Sequence, residues 1–249
     1  MVLSFIDLLK GLLLSASLIT ATEANEQKRD SGRQFWNENP SCDDLRVTGS
    51  TWLHVTACAL LNSGYDVKKN YHFQGDYKAV SVAEATVYKK DRSEYSLSTV
   101  WPDSGNDNWW FESTRNAIAT HPEAVDEGWV KDGVIQTDNH TNADATSGLW
   151  ALTGLDTELE VELDDDKLEE WFDKATKTPI ILKAKDLPEM EHLTRNHFYA
   201  VKDQVKDKGI KKVTLYDLDK EKGHTMRIIT RRLDPSLAQV GHLKDWKEF

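Results

Sequence analysis

Residues 197–217 read HFYAVKDQVKDKGIKKVTLYD. The runs His197–Val201 (HFYAV) and Val213–Asp217 (VTLYD) are short and rich in aromatic and β-branched side chains, which fit a pleated surface. The polar, glycine-containing segment Asp203–Lys212 separates them and predicts a break between two strands. Two more runs have the same character, Pro179–Ala184 (PIILKA) and Thr225–Thr230 (TMRIIT), with the polar Asp219–His224 ahead of the last.

Upstream of these strands the apolar period lengthens. Ser50 or Thr51 can cap a helix that runs to about Asn62, with Gly64 just past its end. Trp52, Val55, Ala59 and Leu60 supply its apolar positions. A second helix is predicted over about Asn108–Thr120, with Asp107 or Asn108 as cap. A third is predicted over about Asp165–Thr176, where Leu168, Trp171, Phe172 and Ala175 recur at i, i+3, i+4 and i+7. Helices first and strands second, without βαβ alternation, predict an α+β fold. Neither half is large enough to stand alone. The expected picture is a helical lobe over about 40–160 and a β lobe over about 161–240, meeting at a cleft.

The chain has 249 residues, 42 acidic and 31 basic, for a net charge of -11. A duplex-binding protein needs cationic surface to displace counterions, so this balance argues against nucleic acid as a partner. It equally argues against electrostatic attachment to a membrane surface. Two cysteines exclude a multi-disulfide miniprotein and a four-cysteine zinc site. The histidines are scattered and form no HExxH or other metal signature. Nine tryptophans supply large apolar anchors for a core or a surface.

Gly11–Thr22 (GLLLSASLITAT) is an uncharged, mostly apolar run of about 12 residues, well short of the roughly 20 that span a membrane. Small residues follow, with Thr22 and Ala24 at signal-peptidase spacing. Residues 1–24 therefore read as a secretory signal peptide cut near Ala24–Asn25. An amphipathic N-terminal helix is the alternative. Lys28-Arg29 resembles a kexin-type processing site of the sort common in secreted fungal proteins. Residues 25–29 then read as a propeptide, and 30–249 as the folded domain. Export implies an oxidising compartment, where Cys42 and Cys58 read as one disulfide; two buried thiols are the alternative. Asn139-His140-Thr141 is an N-glycosylation sequon, whereas Asn39-Pro40-Ser41 is blocked by its proline.

Four segments, in order, resemble the catalytic core of calpains, within the papain-like cysteine peptidases. Gly49-Ser50-Thr51-Trp52-Leu53-His54-Val55-Thr56-Ala57 is similar to the G-D-C-W-L-L-A-A stretch that opens the family's central helix. Trp109-Trp110-Phe111-Glu112-Ser113-Thr114-Arg115-Asn116-Ala117 resembles the family's W-x-x-L-L-E-K-A helix. Ala145–Gly154 (ATSGLWALTG) is similar to A-x-x-G-F-x-D-F-T-G. Asn196-His197-Phe198-Tyr199-Ala200-Val201 resembles the G-H-A-Y-S-V that carries the catalytic histidine. Leu215-Tyr216-Asp217-Leu218-Asp219 then stands where the family has L-R-N-P-W. The resemblance spans about residues 45 to 230 and implies a papain-like two-lobe core of calpain type.

It also shows what is missing. Such a peptidase needs a thiolate at a helix N-terminus, a histidine to pair with it, a group orienting the imidazole, and oxyanion donors. By correspondence His197 is the histidine and Asp217 replaces the orienting asparagine. Thr51 stands at the nucleophile position, and its hydroxyl is far harder to deprotonate than a thiol. Leu45 stands where the family has the oxyanion glutamine and donates nothing from its side chain. Asp219 replaces the shielding tryptophan. Thr51 also reads simply as a helix cap, and His197 as a strand histidine bonded to Asp217. Cys58, two turns below Thr51, reads as a core or disulfide residue rather than a relocated nucleophile. Trp109 and Trp110 read as core residues.

No cofactor is expected. Calcium is implied by the resemblance alone, and the acidic run Glu158–Asp166 (ELEVELDDD) reads first as a solvated stretch that starts a helix. The expected function is that of a secreted, catalytically inactive calpain-like protein, of effector type, binding a protein or peptide in its cleft. The competing readings are a working endopeptidase that pairs His197 with a non-standard nucleophile, and an unrelated secreted α+β domain. The processing argument makes a direct prediction: mass spectrometry of secreted material finds Asp30 at the N-terminus, or Asn25 if the dibasic site is bypassed. Secreted protein retaining Met1 and Gly11 refutes it.

Overall fold

The computed structural model describes residues 35–36, 38–45, 51–100, 109–138, 140–219 and 225–245. The signal-peptide and Lys28-Arg29 readings, and Asn139 of the sequon, lie outside these. In chain order, a 3-10 turn at Cys42–Leu45 is followed by helix α1 (Trp52–Asn62). Strands β1 (Tyr71–His72), β2 (Val82–Tyr88) and β3 (Glu94–Val100) come next. Helices α2 (Trp110–Thr120) and α3 (Pro122–Asp126) precede the ribbon β4 (Val130–Lys131) and β5 (Val134–Ile135). Then come α4 (Ser147–Thr153), β6 (Thr157–Glu160) and α5 (Asp165–Asp173). The last strands are β7 (Ile180–Ala184), β8 (Phe198–Asp207), β9 (Ile210–Tyr216), β10 (Thr225–Ile229) and β11 (Leu237–Leu243).

Among the described residues the strands form a six-stranded sheet in the order β10-β9-β8-β7-β11-β6, a three-stranded sheet β1-β2-β3 and the β4-β5 ribbon. All described pairings are antiparallel, and the fold is α+β. The expected helical half is not purely helical, because β1, β2 and β3 fall inside it. The Lys89–Ser93 turn folds β2 back on β3, with Val82 opposite Val100 and Tyr88 opposite Glu94. The inward side chains of β2 are Ala83, Ala85 and Val87, all buried.

The expected strand HFYAV is buried throughout, and the reason is that both faces of the six-stranded sheet are covered. Phe198 and Ala200 join the core built around α1, α2 and α4, whereas Tyr199 and Val201 join a second core under α5. Alternate side chains of one strand therefore serve two cores, which leaves no charged position from Phe198 to Val201. The strand then continues past Val201 as a hairpin with β9, closed by Lys208 and Gly209 at φ 49° and 85°. Positive φ at both central positions marks the tight turn that matches strand twist. Asp203–Lys212 is thus the outer half of a hairpin, exposed from Lys206 to Ile210 and half-buried nearer the cores, where Gln204 Nε2 donates to Asp173 Oδ1 at 2.6 Å.

Helix α1 is pinned to this sheet at its C-terminal end. The β8–β9 register shifts between Val201 and Asp203, a bulge that takes local carbonyls out of the ladder. Asn62 Nδ2 donates to Lys202 O at 2.8 Å and to Val201 O at 3.3 Å. The two halves also meet at Gly241 of β11, where a Cβ would lie 2.1 Å from Ala145 O. Only glycine allows that approach. Every described tryptophan is buried. Trp52, Trp129 and Trp150 form a row with ring centroids 4.9 and 5.0 Å apart, and Trp109 meets Phe35 edge-on at 4.7 Å.

Cys42 and Cys58 form a disulfide that ties the 3-10 turn to the middle of α1. Cys58 is therefore no free thiol. No helix among the described residues is long and apolar enough to cross a membrane. The loop closed by the bridge has a sequence separation of 16. Closing a loop of that size is worth about 3 kcal/mol on the chain-entropy argument. Thiol titration of the denatured, unreduced protein should find no free cysteine, and the Cys42→Ser/Cys58→Ser variant should lose about 3 kcal/mol in urea unfolding. Two titratable thiols in the native sequence contradict the bridge.

Candidate functional site

The residues brought forward from the sequence fall into two separate hydrogen-bonded groups. The first surrounds His197, which immediately precedes β8 and is 6% exposed. Its Nε2 lies 3.2 Å from Asp217 Oδ1, at the end of the neighbouring strand β9. Its Nδ1 lies 2.8 Å from Oδ2 of Asp138, in the segment between β5 and α4. The same Asp138 oxygen accepts the Phe198 backbone N–H at 3.3 Å, and Asp217 Oδ1 accepts from Asp219 N at 3.1 Å. Both aspartates are buried, at 6% and 2% exposure. Tyr199 packs edge-on against the imidazole at 4.7 Å.

A neutral imidazole carries one N–H, but here both ring nitrogens face carboxylates that can only accept. The protonated ring satisfies both. Burial by itself pulls the His197 pKa down; hydrogen bonds to Asp138 and Asp217, together with their charges, outweigh it and raise the value to about 9. At neutral pH the group is an imidazolium between two carboxylates. With both nitrogens protonated and engaged, it has no basic lone pair for taking a proton from a nucleophile.

Lys183 of β7 borders this group. Its Nζ donates to Ala143 O at 3.0 Å and stands 4.8 Å from the centre of the Phe198 ring. Burial lowers its pKa, against the opposing charges of Asp138 and Asp144. The bond to Ala143 ties the sheet to the loop that carries Asp138.

The second group is at the start of α1. Thr51 occupies the N-cap with extended backbone. Its N–H donates to His54 Nδ1 at 3.2 Å, and its Oγ1 lies 2.9 Å from the same nitrogen. An acceptor nitrogen at a helix start answers orphan N–H groups, as a capping glutamate would. Burial, reinforced by the charge of Arg115, lowers the His54 pKa to about 3. His54 is thus a neutral acceptor and a feeble base. Among the described residues no hydrogen bond joins Thr51 to His197: each is committed to a different histidine or aspartate. Leu45 is 1% exposed within the core around α1, not on a surface where an oxyanion could reach it.

Asp138 and His54 were not singled out in the sequence. His54 stands three residues after the cap, a position with a recognisable role. Asp138 gives no local signal, because it stands 59 residues before His197 and only the fold joins them. The acidic run Glu158–Asp166 does not converge on one point. Glu158 and Glu160 belong to β6, Asp164 caps α5 by accepting from Lys167 N at 2.8 Å, and Asp165 and Asp166 form its first turn. Such a spread does not fit a calcium cage, which needs six or more converging oxygens.

No protein-family model matches this sequence, and no curated protein matches it.

The two histidines predict opposite limbs of a stability profile. His197 has a native pKa near 9, above its ordinary 6.5, so its stabilisation is complete below pH 6.5 and is lost as pH rises through 9. His54 has a native pKa near 3, below 6.5, so stability is lost as pH falls from 6.5 towards 3. Urea unfolding should therefore show maximum stability near pH 6.5 from this pair. His197→Gln should flatten the alkaline limb and cost about 3–5 kcal/mol at neutral pH, because two buried carboxylates lose their cation. An unchanged alkaline limb in that variant refutes the assignment.

Proposed function

We propose that this chain is a secreted protein of papain-like, calpain-type descent that works by binding a protein or peptide rather than by cleaving one. The observation that carries the reading is the double engagement of His197, by Asp138 on one nitrogen and Asp217 on the other. A peptidase histidine needs one nitrogen facing its nucleophile. Here that role is blocked by a carboxylate, Thr51 bonds to His54 instead, and Leu45 belongs to the core.

The descent is supported by the order of the four segments and by the local structures on which they fall. The Thr51 segment opens α1, the Trp109 segment opens α2, the Ala145–Gly154 segment contains α4, and the His197 segment leads into β8. Asp217 at the end of β9 is within reach of His197, as the family pattern requires of its orienting residue. Export is supported by the apolar run before Ala24 and by the Cys42–Cys58 bridge, since disulfides persist in oxidising compartments. An effector-type role follows from the combination of export, the dibasic Lys28-Arg29 pair and a peptidase-like framework without the peptidase chemistry.

The test is activity of the purified mature chain on casein and fluorogenic peptides, with and without calcium. No turnover is expected above a buffer control. Thr51→Cys should introduce a thiol of ordinary alkylation rate, because its imidazole neighbour is the neutral His54 and cannot form the thiolate–imidazolium pair. Adding Leu45→Gln should give no turnover either. Peptide hydrolysis by the unmodified chain, abolished by His197→Ala, overturns this reading in favour of a working endopeptidase.

A further inference from the structure

We propose that Glu158, Glu160 and His242 form a site for a divalent transition-metal ion of the zinc type. Strand β6 lies at the edge of the six-stranded sheet and pairs antiparallel with β11, with Glu158 opposite His242 and Glu160 opposite Val240. Residues two apart on a strand share a face, so both glutamates stand on the side of His242. One ligand atom from each of the three lies within 4.8 Å of the others.

The donors are not merely acidic. His242 is 2% exposed and its ring is fixed from two directions. Its Nδ1 lies 2.8 Å from Leu243 O, a carbonyl that only accepts, so Nδ1 carries a proton, and Nε2 is the ring nitrogen on the side of Glu160. This is the arrangement by which metal-binding histidines set their tautomer. Trp171 of α5 packs against the ring at 5.2 Å and 35°. Nε2 is 3.8 Å from Glu160 Oε1, too far for a hydrogen bond, yet two ligands of one ion stand at about that separation.

The donor set selects the metal. Imidazole nitrogen with carboxylate oxygens suits zinc and its neighbours, whereas calcium and magnesium take oxygen alone. Two glutamates side by side on an edge strand repel each other, and a dication relieves that repulsion. The ion would clamp β6, which has a neighbour on one side only, to β11. Water can complete the coordination on the exposed side of Glu158.

The experiment uses the mature chain, purified without a histidine tag and stripped of metal by chelation. Calorimetric titration with Zn2+ should show saturable one-to-one binding and a rise in melting temperature, while Ca2+ gives neither. Cobalt substitution should give visible bands that report a nitrogen ligand. His242→Ala should weaken zinc binding by roughly 10- to 100-fold or more. Because His242 is buried, the exposed-edge double variant Glu158→Gln/Glu160→Gln provides the same reading without touching the core. Absence of saturable zinc binding overturns the proposal. So does unchanged affinity in the double variant, or calcium bound there as tightly as zinc.

Discussion

Burial of both faces of β8 is the constraint on which the rest of the arrangement depends. Phe198 and Ala200 go to the core shared with α1, and Tyr199 and Val201 to the core under α5. A strand in that position must be apolar over its inner length and must have its ladder complete on both edges, which β7 and β9 provide. It also fixes where charge can be tolerated. Polar groups appear only where the strand enters, at His197, and where it leaves the cores, beyond Val201. At the exit the bulge carbonyls are taken up by Asn62. At the entrance the charge on the imidazole is met by a carboxylate from each side.

That entrance is costly in isolation. Moving one imidazolium and two carboxylates out of water carries a desolvation penalty that their attraction offsets only when geometry is good. The contacts at 2.8 and 3.2 Å supply it, and they join three distant segments: the loop before α4, the start of β8 and the end of β9. The same contacts that make the cluster a fastener leave its imidazole a poor general base. A general base must hold a lone pair near the operating pH, and an imidazole held protonated up to about pH 9 does not. His54 errs in the other direction, with a lone pair too weakly basic to withdraw a proton from Thr51.

Much of this was legible along the chain. Helix α1 spans Trp52–Asn62 where capping by Thr51 and the apolar spacing place it, and α5 begins at the acidic turn. The runs at 180–184, 198–201 and 213–216 are strands whose burial shows as dense apolar stretches, interrupted only by Lys183 and Thr214. What escaped has a physical reason in each case. Strands β2 (VAEATVY) and β3 (EYSLSTV) do carry strand-forming valine, tyrosine and threonine, but glutamate, alanine and serine between them keep every apolar run short. Strand β6 (TELE) is an edge strand with two glutamates, so the acidic run reads as a solvated stretch that starts a helix. The outer β8–β9 hairpin is polar because its tip is exposed and its base meets Glu169 and Asp173 of α5. Asp138 is the clearest case: a lone aspartate in a loop acquires its role only through a partner 59 residues away.

The reach of Asn62 bears on the order in which the chain can fold. The residue whose carbonyl it holds, Lys202, is 140 positions further along. The apolar surface of α1 therefore leaves the ribosome long before the sheet that covers it exists. Contacts of such high sequence separation close slowly, and the uncovered helix must be kept from self-association in the interval. The loop between Cys42 and Cys58, by contrast, can close as soon as its own residues are made. The bridge can thus hold the 3-10 turn across one side of the helix while the other side waits for β8. In that interval it limits how much greasy surface is offered to other chains, a service distinct from anything it contributes to the finished fold.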